Sequence, residues 1–196
     1  MSDTPSINLT NQFLIAMPGM ADENFMGSVV YLCEHSPRGA LGLVINKPSD
    51  IKLKSLFEKV DLALDRQELA EQPVYFGGPV QTERGFVLHP KQGTAEDASP
   101  YASTMSIPGA ALDMTTSKDV LEALSQGAGP AKVMVMLGYA GWGAGQLEDE
   151  LGRNGWLTVH ADPALIFDTP VERRYERAFE LLGIDPRMLS TEAGHA

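Results

Sequence analysis

The residues most suggestive of chemistry form a glycine-rich run with one tryptophan, residues 137–148. Its glycines stand at positions 138, 141, 143 and 145, and the run joins the apolar segment 133–137 to a helix that we predict near Gln146. Glycine permits backbone conformations that a side chain forbids, so the run predicts a tight strand-to-helix turn. Such a turn can present backbone N–H groups to a phosphate.

The glycine run nevertheless differs from known phosphate-binding loops. Its glycines follow neither the G-x-G-x-x-G nor the G-x-x-x-x-G-K-[ST] spacing. Glu148, Asp149 and Glu150 open the predicted helix, and no Lys or Arg occurs before Arg153. These carboxylates already satisfy the positive end of the helix dipole. We therefore favour a packing joint with Trp142 as a wedge, and keep a binding surface for a neutral or cationic group as the alternative.

A second sharp turn, Gly77-Gly78-Pro79, follows the apolar segment 74–76. Its simplest interpretation is a hairpin corner that needs positive φ, and its functional interpretation is a rim beside the glycine run. The segment Asn46-Lys47-Pro48 is interpreted first as the end of a strand and second as a place for a site lysine. Both segments thus have a structural and a functional interpretation.

Chemistry alone makes nine residues of these motifs candidates for a ligand- or partner-binding site. They are Asn46, Gly77, Gly78, Pro79, Gly141, Trp142, Gly145, Gln146 and Glu148. In this hypothesis the two glycine turns line a groove, Trp142 supplies apolar area, and Glu148 supplies a charge for an amine-bearing group.

The signals for a metal or a nucleophile are weaker. Cys33 and His35 share a face if their segment is extended, but no second Cys/His pair follows at a zinc-binding spacing. His89 and His160 are isolated in sequence, so we predict no metal site and no cofactor. There is no G-x-S-x-G elbow, and Glu34 would raise the pKa of the Cys33 thiol. We assign no catalytic residue and interpret Cys33 as a small buried apolar residue.

The elements that must position these residues are short and mixed. Apolar runs and turn residues predict strands at 13–17, 29–33, 41–45, 74–76, 85–88, 111–114, 133–137 and 156–160. The second and third should form a hairpin, the fourth and fifth should pair, and 91–110 should be a loop. Helical spacing and capping residues predict helices over 53–60, 117–125 and 146–153, and after Asp162-Pro163 and Thr169-Pro170.

Two details of these helices follow from capping residues. Thr116 or Ser117 should cap the helix that ends at Ser125, and Thr169 should form a capping box with Glu172. The irregular alternation of strands and helices predicts an α+β fold in a single domain over residues 1–196. Residues 1–8 and 190–196 should be flexible.

Composition limits the partners. The formal charge is −11 and the pI about 4.7, so phosphate backbones and anionic lipids are disfavoured. The single cysteine favours a reducing compartment. The polar first twelve residues do not resemble a signal peptide, and the longest apolar run is far too short to span a membrane. We therefore expect a soluble, cytosolic protein.

Several motifs together resemble the AlgH/YqgE-like family of small bacterial proteins. They are Phe13-Leu14-Ile15-Ala16-Met17-Pro18, the segment 42–48, the segment 74–80, and the glycine run 138–148 continuing to Asn154-Gly155-Trp156. The resemblance implies a single α+β domain whose mixed, branched sheet curls towards a barrel and is surrounded by helices. Some family members carry the label of transcriptional regulator. No catalytic residue or cofactor is implied.

Three functions remain open at this point. The first is a non-enzymatic binding or regulatory protein that acts through a protein partner or a small neutral or cationic ligand, and we prefer it. The second is an enzyme such as a metal-assisted hydrolase that uses Glu148 or His89. The third is a direct DNA-binding regulator, which conflicts with the charge and with the lack of a basic recognition helix.

Overall fold

The structure is a computed structural model that describes residues 7–92 and 99–189. Most of the termini that we expected to be flexible, 1–6 and 190–196, lie outside the described residues. The strands are β1 Gln12–Ala16, β2 Val29–Ser36, β3 Gly39–Val44, β4 Pro48–Lys52, β5 Pro73–Phe76, β6 Val80–Pro90, β7 Thr104–Ser106, β8 Leu112–Thr115, β9 Met134–Gly143 and β10 Trp156–His160. The helices are α1 Leu53–Lys59, α2 Asp119–Ser125, α3 Gln146–Gly152, α4 Pro163–Phe167 and α5 Arg174–Leu181.

The ten strands of the described residues belong to one sheet, with the order β10-β1-β2-β3-β9-β6-β8-β7 and a branch formed by β4 and β5. The branch point is β9. Its first half pairs in parallel with β5 and antiparallel with β6, and its second half pairs antiparallel with β3. The sheet is therefore mixed and branched, and it curls into a half-barrel. The predicted α+β fold is confirmed.

The curled sheet separates three apolar clusters. The inner core fills the concave side, and the buried Ala178 and Phe179 of α5 pack into it. On the convex side, one cluster surrounds Trp142 and Trp156 near α3. The other includes Leu53 of α1 and Val120 of α2. No helix in the described ranges is long and apolar enough to cross a membrane.

The largest correction concerns the glycine run. It is not a turn: β9 continues through it to Gly143, and only residues 144 and 145 connect the strand to α3. Only Gly138 has a neighbouring backbone too close for a side chain, since a Cβ there would lie 2.4 Å from the Gly78 carbonyl oxygen. A Cβ on Gly141 or Gly143 would meet only side-chain atoms, at 3.3 Å or more. All three glycines lie within the paired strand, and Gly145 with φ of 76° makes the actual turn.

Of the other predictions on strand pairing and helix capping, two are confirmed and two are wrong. The β2–β3 hairpin and the Asp162 cap are confirmed, since the Asp162 side chain accepts a hydrogen bond from the Ala164 N–H. The predicted pairing of 74–76 with 85–88 is wrong, because β9 lies between β5 and β6. The capping box is also wrong, because the Thr169 hydroxyl donates to the carbonyl oxygen of Ala164 instead.

Two smaller differences complete the comparison with the sequence. The predicted loop at 91–110 contains the short strand β7. Helix α2 begins after Lys118 without a side-chain cap, because the Ser117 hydroxyl donates to Asp119, 2.5 Å away.

Candidate functional site

The two glycine motifs meet directly, backbone against backbone, in what we call the glycine joint, residues 77–78 and 138–139. The Gly77 N–H donates to the carbonyl oxygen of Leu137 over 2.8 Å. A Cβ on Gly77 would lie 2.3 Å from the Gly138 carbonyl oxygen, and one on Gly78 would lie 2.1 Å from the Tyr139 carbonyl carbon. No side chain fits at these distances, so close packing alone accounts for both glycines of the 77–78 turn.

Beside this joint lies a pocket of about 260 Å³, which we call the Lys47 pocket. It lies between the Asn46-Lys47-Pro48 and Gly77-Gly78-Pro79 segments. Phe76, the residue before the second segment, donates its N–H to the Lys47 carbonyl oxygen, 2.8 Å away. The residues that line it are Glu23, Asn24, Val44, Lys47, Phe76, Gly78, Pro79 and Thr82. Two motifs that are separate in sequence thus form one surface.

Lys47 is the cationic group of this pocket. Its ammonium donates a hydrogen bond to the carbonyl oxygen of Asn24 over 2.8 Å, which leaves two further protons. Burial lowers the pKa of Lys47, and the charge of Asp22 only partly opposes this effect. Within the described residues no carboxylate lies within 4.0 Å of the ammonium.

The side chain of Asn46 is used internally. Its Oδ1 accepts from the Val29 N–H at 2.9 Å, and its Nδ2 donates to the Gly27 carbonyl oxygen at 2.8 Å. Both bonds tie the end of β3 to the loop that carries Asn24. Asn46 therefore holds one wall of the Lys47 pocket in place.

Trp142 does not line the Lys47 pocket and packs into an aromatic group. We define the Trp142 cluster as Phe25, Trp142, Glu150 and Trp156. The Phe25 ring stacks on Trp142 with centroids 5.9 Å apart, and Trp156 contacts both rings edge to face. Both indole N–H groups donate to the same oxygen, Glu150 Oε1, at 3.3 and 3.1 Å. The exposed fraction of Trp142 is only 5%.

Gln146 and Glu148 are also bonded within the chain. Gln146 Oε1 accepts from the Gly143 N–H at 3.1 Å, and its Nε2 donates to Glu150 Oε2 at 3.1 Å. Glu148 Oε1 lies 2.5 Å from His35 Nε2. Because the Leu9 N–H donates to His35 Nδ1, the shared proton is on Nε2. Partial burial acts to raise the pKa of Glu148, but bonds from its own N–H and from His35 outweigh it, and the pKa is lowered.

Cys33 and His35 do not share a face. The register of β2 shifts between Leu32 and Glu34, and this irregularity places Cys33 in the inner core while His35 bonds to α3 on the convex side. Burial, followed by the charge of Glu34, raises the pKa of the Cys33 thiol. Within residues 7–92 and 99–189, no three His, Cys, Asp or Glu side chains cluster in a way that would hold a metal.

Gly141 and Trp142 line a different, more open groove of about 420 Å³, where the inner face of β3 and β9 reaches solvent. Leu41 and Tyr139 form its apolar part, and Glu34 and Arg38 stand at its edge. It does not include the 77–79 turn. The nine candidates are therefore divided into four groups. Gly78 and Pro79 line the Lys47 pocket, and Asn46 and Gly77 support its walls. Gly141 and Trp142 line the groove, and Gly145, Gln146 and Glu148 belong to α3 and its start.

Comparison with known proteins shows the family of this chain. A family model described as AlgH-like matches residues 13–187. The chain belongs to the AlgH-like family. It is 68% identical to a UPF0301 protein of Variovorax paradoxus, over 100% of this chain and 99% of that one. It is 66% identical to a UPF0301 protein of Ralstonia nicotianae, over 99% and 98%.

Solved structures agree with this assignment. The solution structure of the AlgH protein from Pseudomonas aeruginosa is 48% identical to this AlgH-like chain, covers 100% of both chains and has a TM-score of 0.76. A protein of Corynebacterium diphtheriae, 22% identical with a TM-score of 0.62 over 81% of this chain and 79% of that one, shares the fold. These names mention no transcriptional regulation and so do not support the label of regulator.

Proposed function

We propose that this AlgH-like protein is a non-enzymatic binding protein that recognises a partner protein at the Lys47 pocket. The partner segment would present a carboxylate to Lys47 and an apolar side chain to Phe76. The observation that carries this proposal is a partly buried ammonium with no carboxylate within 4.0 Å in the described residues, next to an exposed aromatic ring.

The electrostatic argument starts from desolvation. A partly buried ammonium is disfavoured unless charged or polar groups compensate it. The Asn24 carbonyl supplies one such group, and Asp22 acts only through its more distant charge. A carboxylate from a partner would accept the remaining protons at close range, and charge-assisted hydrogen bonds are among the stronger ones.

The apolar argument concerns the surface beside Lys47. Phe76 exposes 50% of its surface and lines the pocket with Lys47, to whose carbonyl oxygen its N–H donates. Met26 also exposes 50%, and it precedes Gly27, whose carbonyl binds Asn46. Exposed aromatic and methionine side chains are typical of protein interfaces. The pocket thus offers a cation next to an exposed aromatic ring.

The hypothesis of an amine-binding site has less support. It needs Trp142 and Glu148 to meet a ligand, whereas Trp142 is stacked on Phe25 and Glu148 is bonded to His35. Direct DNA binding has less support as well, because the net charge of −11 repels a polyanion.

The proposal is tested by titrating the 15N-labelled protein with two peptides, acetyl-Leu-Phe with a free C-terminal carboxylate and the same peptide as its amide. We expect amide shifts confined to residues around Lys47 and Phe76, and tighter binding of the acid. Lys47→Met should weaken binding of the acid by up to about fivefold, since one partly exposed ion pair contributes up to about 1 kcal/mol. Phe76→Ser should weaken the binding of both peptides.

Matched controls are available on the same chain. Lys59→Met removes an exposed lysine of α1, and Met188→Ala removes a side chain that is 80% exposed elsewhere; both should bind like the parent. Equal affinity for acid and amide, or equal affinity of the Lys47→Met and Lys59→Met variants, would contradict the proposed role of Lys47.

A further inference from the structure

A separate cavity lies on the convex side, between α1, α2 and the strands β6 and β9. Its volume is about 230 Å³, and we call it the α1–α2 cavity. Most of its lining is apolar: Leu56, Val60, Phe86, Val87, Leu121, Val135 and Leu137. It shares no residue with the Lys47 pocket or with the groove at Tyr139.

One residue of the sequence, a glycine of β6, explains why the cavity is empty. Gly85 stands where β6 rejoins β9, opposite Leu137. Val87, two residues further along the strand, points into the cluster below α1 and α2, so position 85 faces the same side. A Cβ on Gly85 would meet no atom of the described residues within 4 Å. The missing side chain at this position leaves the space between the helices and the sheet unfilled.

We infer that the α1–α2 cavity is a binding site for a small, uncharged and mostly apolar molecule that carries one polar group. An apolar cavity of about 150 Å³ accepts benzene, so 230 Å³ corresponds to about nine non-hydrogen atoms by simple scaling. Leu56, Leu121 and Leu137 are only half-buried around the empty space. A ligand would remove their remaining apolar surface from water, which is favourable.

The rim of the cavity favours an uncharged ligand. Its two charged residues, Glu83 and Lys118, have opposite signs and are both exposed, so neither sign of ligand is attracted overall. Thr116 also lies at the rim, and its hydroxyl forms no hydrogen bond within the described part of the chain. This hydroxyl is a suitable partner for a single hydroxyl or carbonyl group on the ligand.

The test uses three probes with equal numbers of non-hydrogen atoms: 4-ethylphenol, benzoate and phenethylammonium. With methyl-labelled Leu and Val, 4-ethylphenol should cause saturable shifts at Leu56, Val87 and Leu121, with an affinity of about 1 mM as expected for so small a ligand. The anionic and cationic probes should bind at least about tenfold more weakly. Absence of saturable shifts, or equal binding of the charged probes, would overturn the inference.

A cavity-filling variant provides the structural control. Gly85→Leu should fill the space and abolish the 4-ethylphenol shifts. Gly152→Leu adds the same side chain at another glycine with open space, in α3, and should leave binding unchanged. If Gly85→Leu does not fold, Gly85→Val gives the same comparison with less volume. Undiminished binding in a folded Gly85 variant would place the ligand elsewhere. Lys47→Met should not affect these shifts. The binding site in the α1–α2 cavity and the proposed function at Lys47 can therefore be contradicted independently of each other.

Discussion

The Trp142 cluster and the Lys47 pocket lie close to the same glycine joint but use their polar groups in opposite ways. In the Trp142 cluster both indole N–H groups bond to Glu150, and the Gln146 amide does so as well. In the Lys47 pocket an ammonium has two protons that meet no carboxylate of residues 7–92 and 99–189, and Phe76 is half exposed. Polar groups whose hydrogen bonds are all made within the chain indicate a structural role. Polar groups and apolar side chains that remain in contact with solvent indicate a surface for binding.

The strongest test of this comparison replaces one aromatic residue in each region. Trp142→Ala should lower the free energy of unfolding by about 3–5 kcal/mol, because a large buried side chain is lost and a cavity remains. Phe76→Ser should change it by less than about 1 kcal/mol, since half of the ring is already in water. Urea denaturation followed by circular dichroism measures both. Similar losses in the two variants would remove the distinction between the regions.

This result also affects how Trp142 can be used as a binding probe. A change in binding on Trp142→Ala would not by itself assign Trp142 to a site, because the variant loses much of a typical total stability of about 5–15 kcal/mol. Phe76→Ser is the cleaner variant, since its fold should remain intact.

A second prediction concerns the carboxylate at the centre of the Trp142 cluster. Glu150→Gln should lower the free energy of unfolding by about 1–3 kcal/mol, because the new amide N–H group would face the Gln146 amide, which also donates. Denaturation followed by tryptophan fluorescence would report the change directly. Asp149→Asn is the matched control: Asp149 forms an exposed pair with Arg153, and its loss should cost less than about 0.5 kcal/mol.

A third, smaller prediction is that Glu148, which lies on α3 beside the Trp142 cluster, and Lys47 affect stability in different pH ranges. The pKa of Glu148 is lowered in the folded protein, so its contribution to stability is present above its unfolded pKa of about 4.3 and is lost as pH falls through the folded value. Glu148→Gln should therefore reduce the loss of stability between about pH 6 and pH 3. Urea midpoints measured across this range test it, and an unchanged slope would contradict it.

Lys47 should affect the stability of the protein at alkaline pH, as Glu148 does at acid pH. Its pKa is lowered by burial, so between the folded value and the unfolded value of about 10.4 the unfolded chain binds more protons, and stability rises with pH. Lys47→Met should remove this contribution, and Lys59→Met should keep it. If the stabilities of the two variants differed only at acid pH, the pH dependence would belong to a group other than Lys47.

The sequence predicted much of the fold because several signals were local. The hairpin from Val29 to Val44 follows from two apolar runs around a Pro-Arg-Gly turn, and Asp162-Pro163 caps α4 as its residue types indicate. The resemblance implied the branched, curled sheet. The glycine run was interpreted as a turn because glycine usually interrupts a strand, whereas here β9 continues through it, and the close approach of the Gly78 backbone requires glycine at position 138.

The candidate site was less predictable because it depends on contacts between distant segments. Nothing near Lys47 in sequence indicates that residues 76–79 and Asn24 surround it. Phe76 continues an apolar run and gave no sign that it would be exposed. Glu150 was one of many carboxylates in an acidic chain, and only the fold brings both indoles to it. The irregularity in β2 that separates Cys33 from His35 left no trace in the residue pattern.

The position of Cys33 makes it a natural reporter of global opening. Its side chain is completely buried in the inner core, and burial raises its pKa, so a thiol reagent can react only after this core opens. The rate of labelling under native conditions would then follow the population of opened molecules. Fluorophores could be attached through cysteines engineered at the surface without removing Cys33 from the protein.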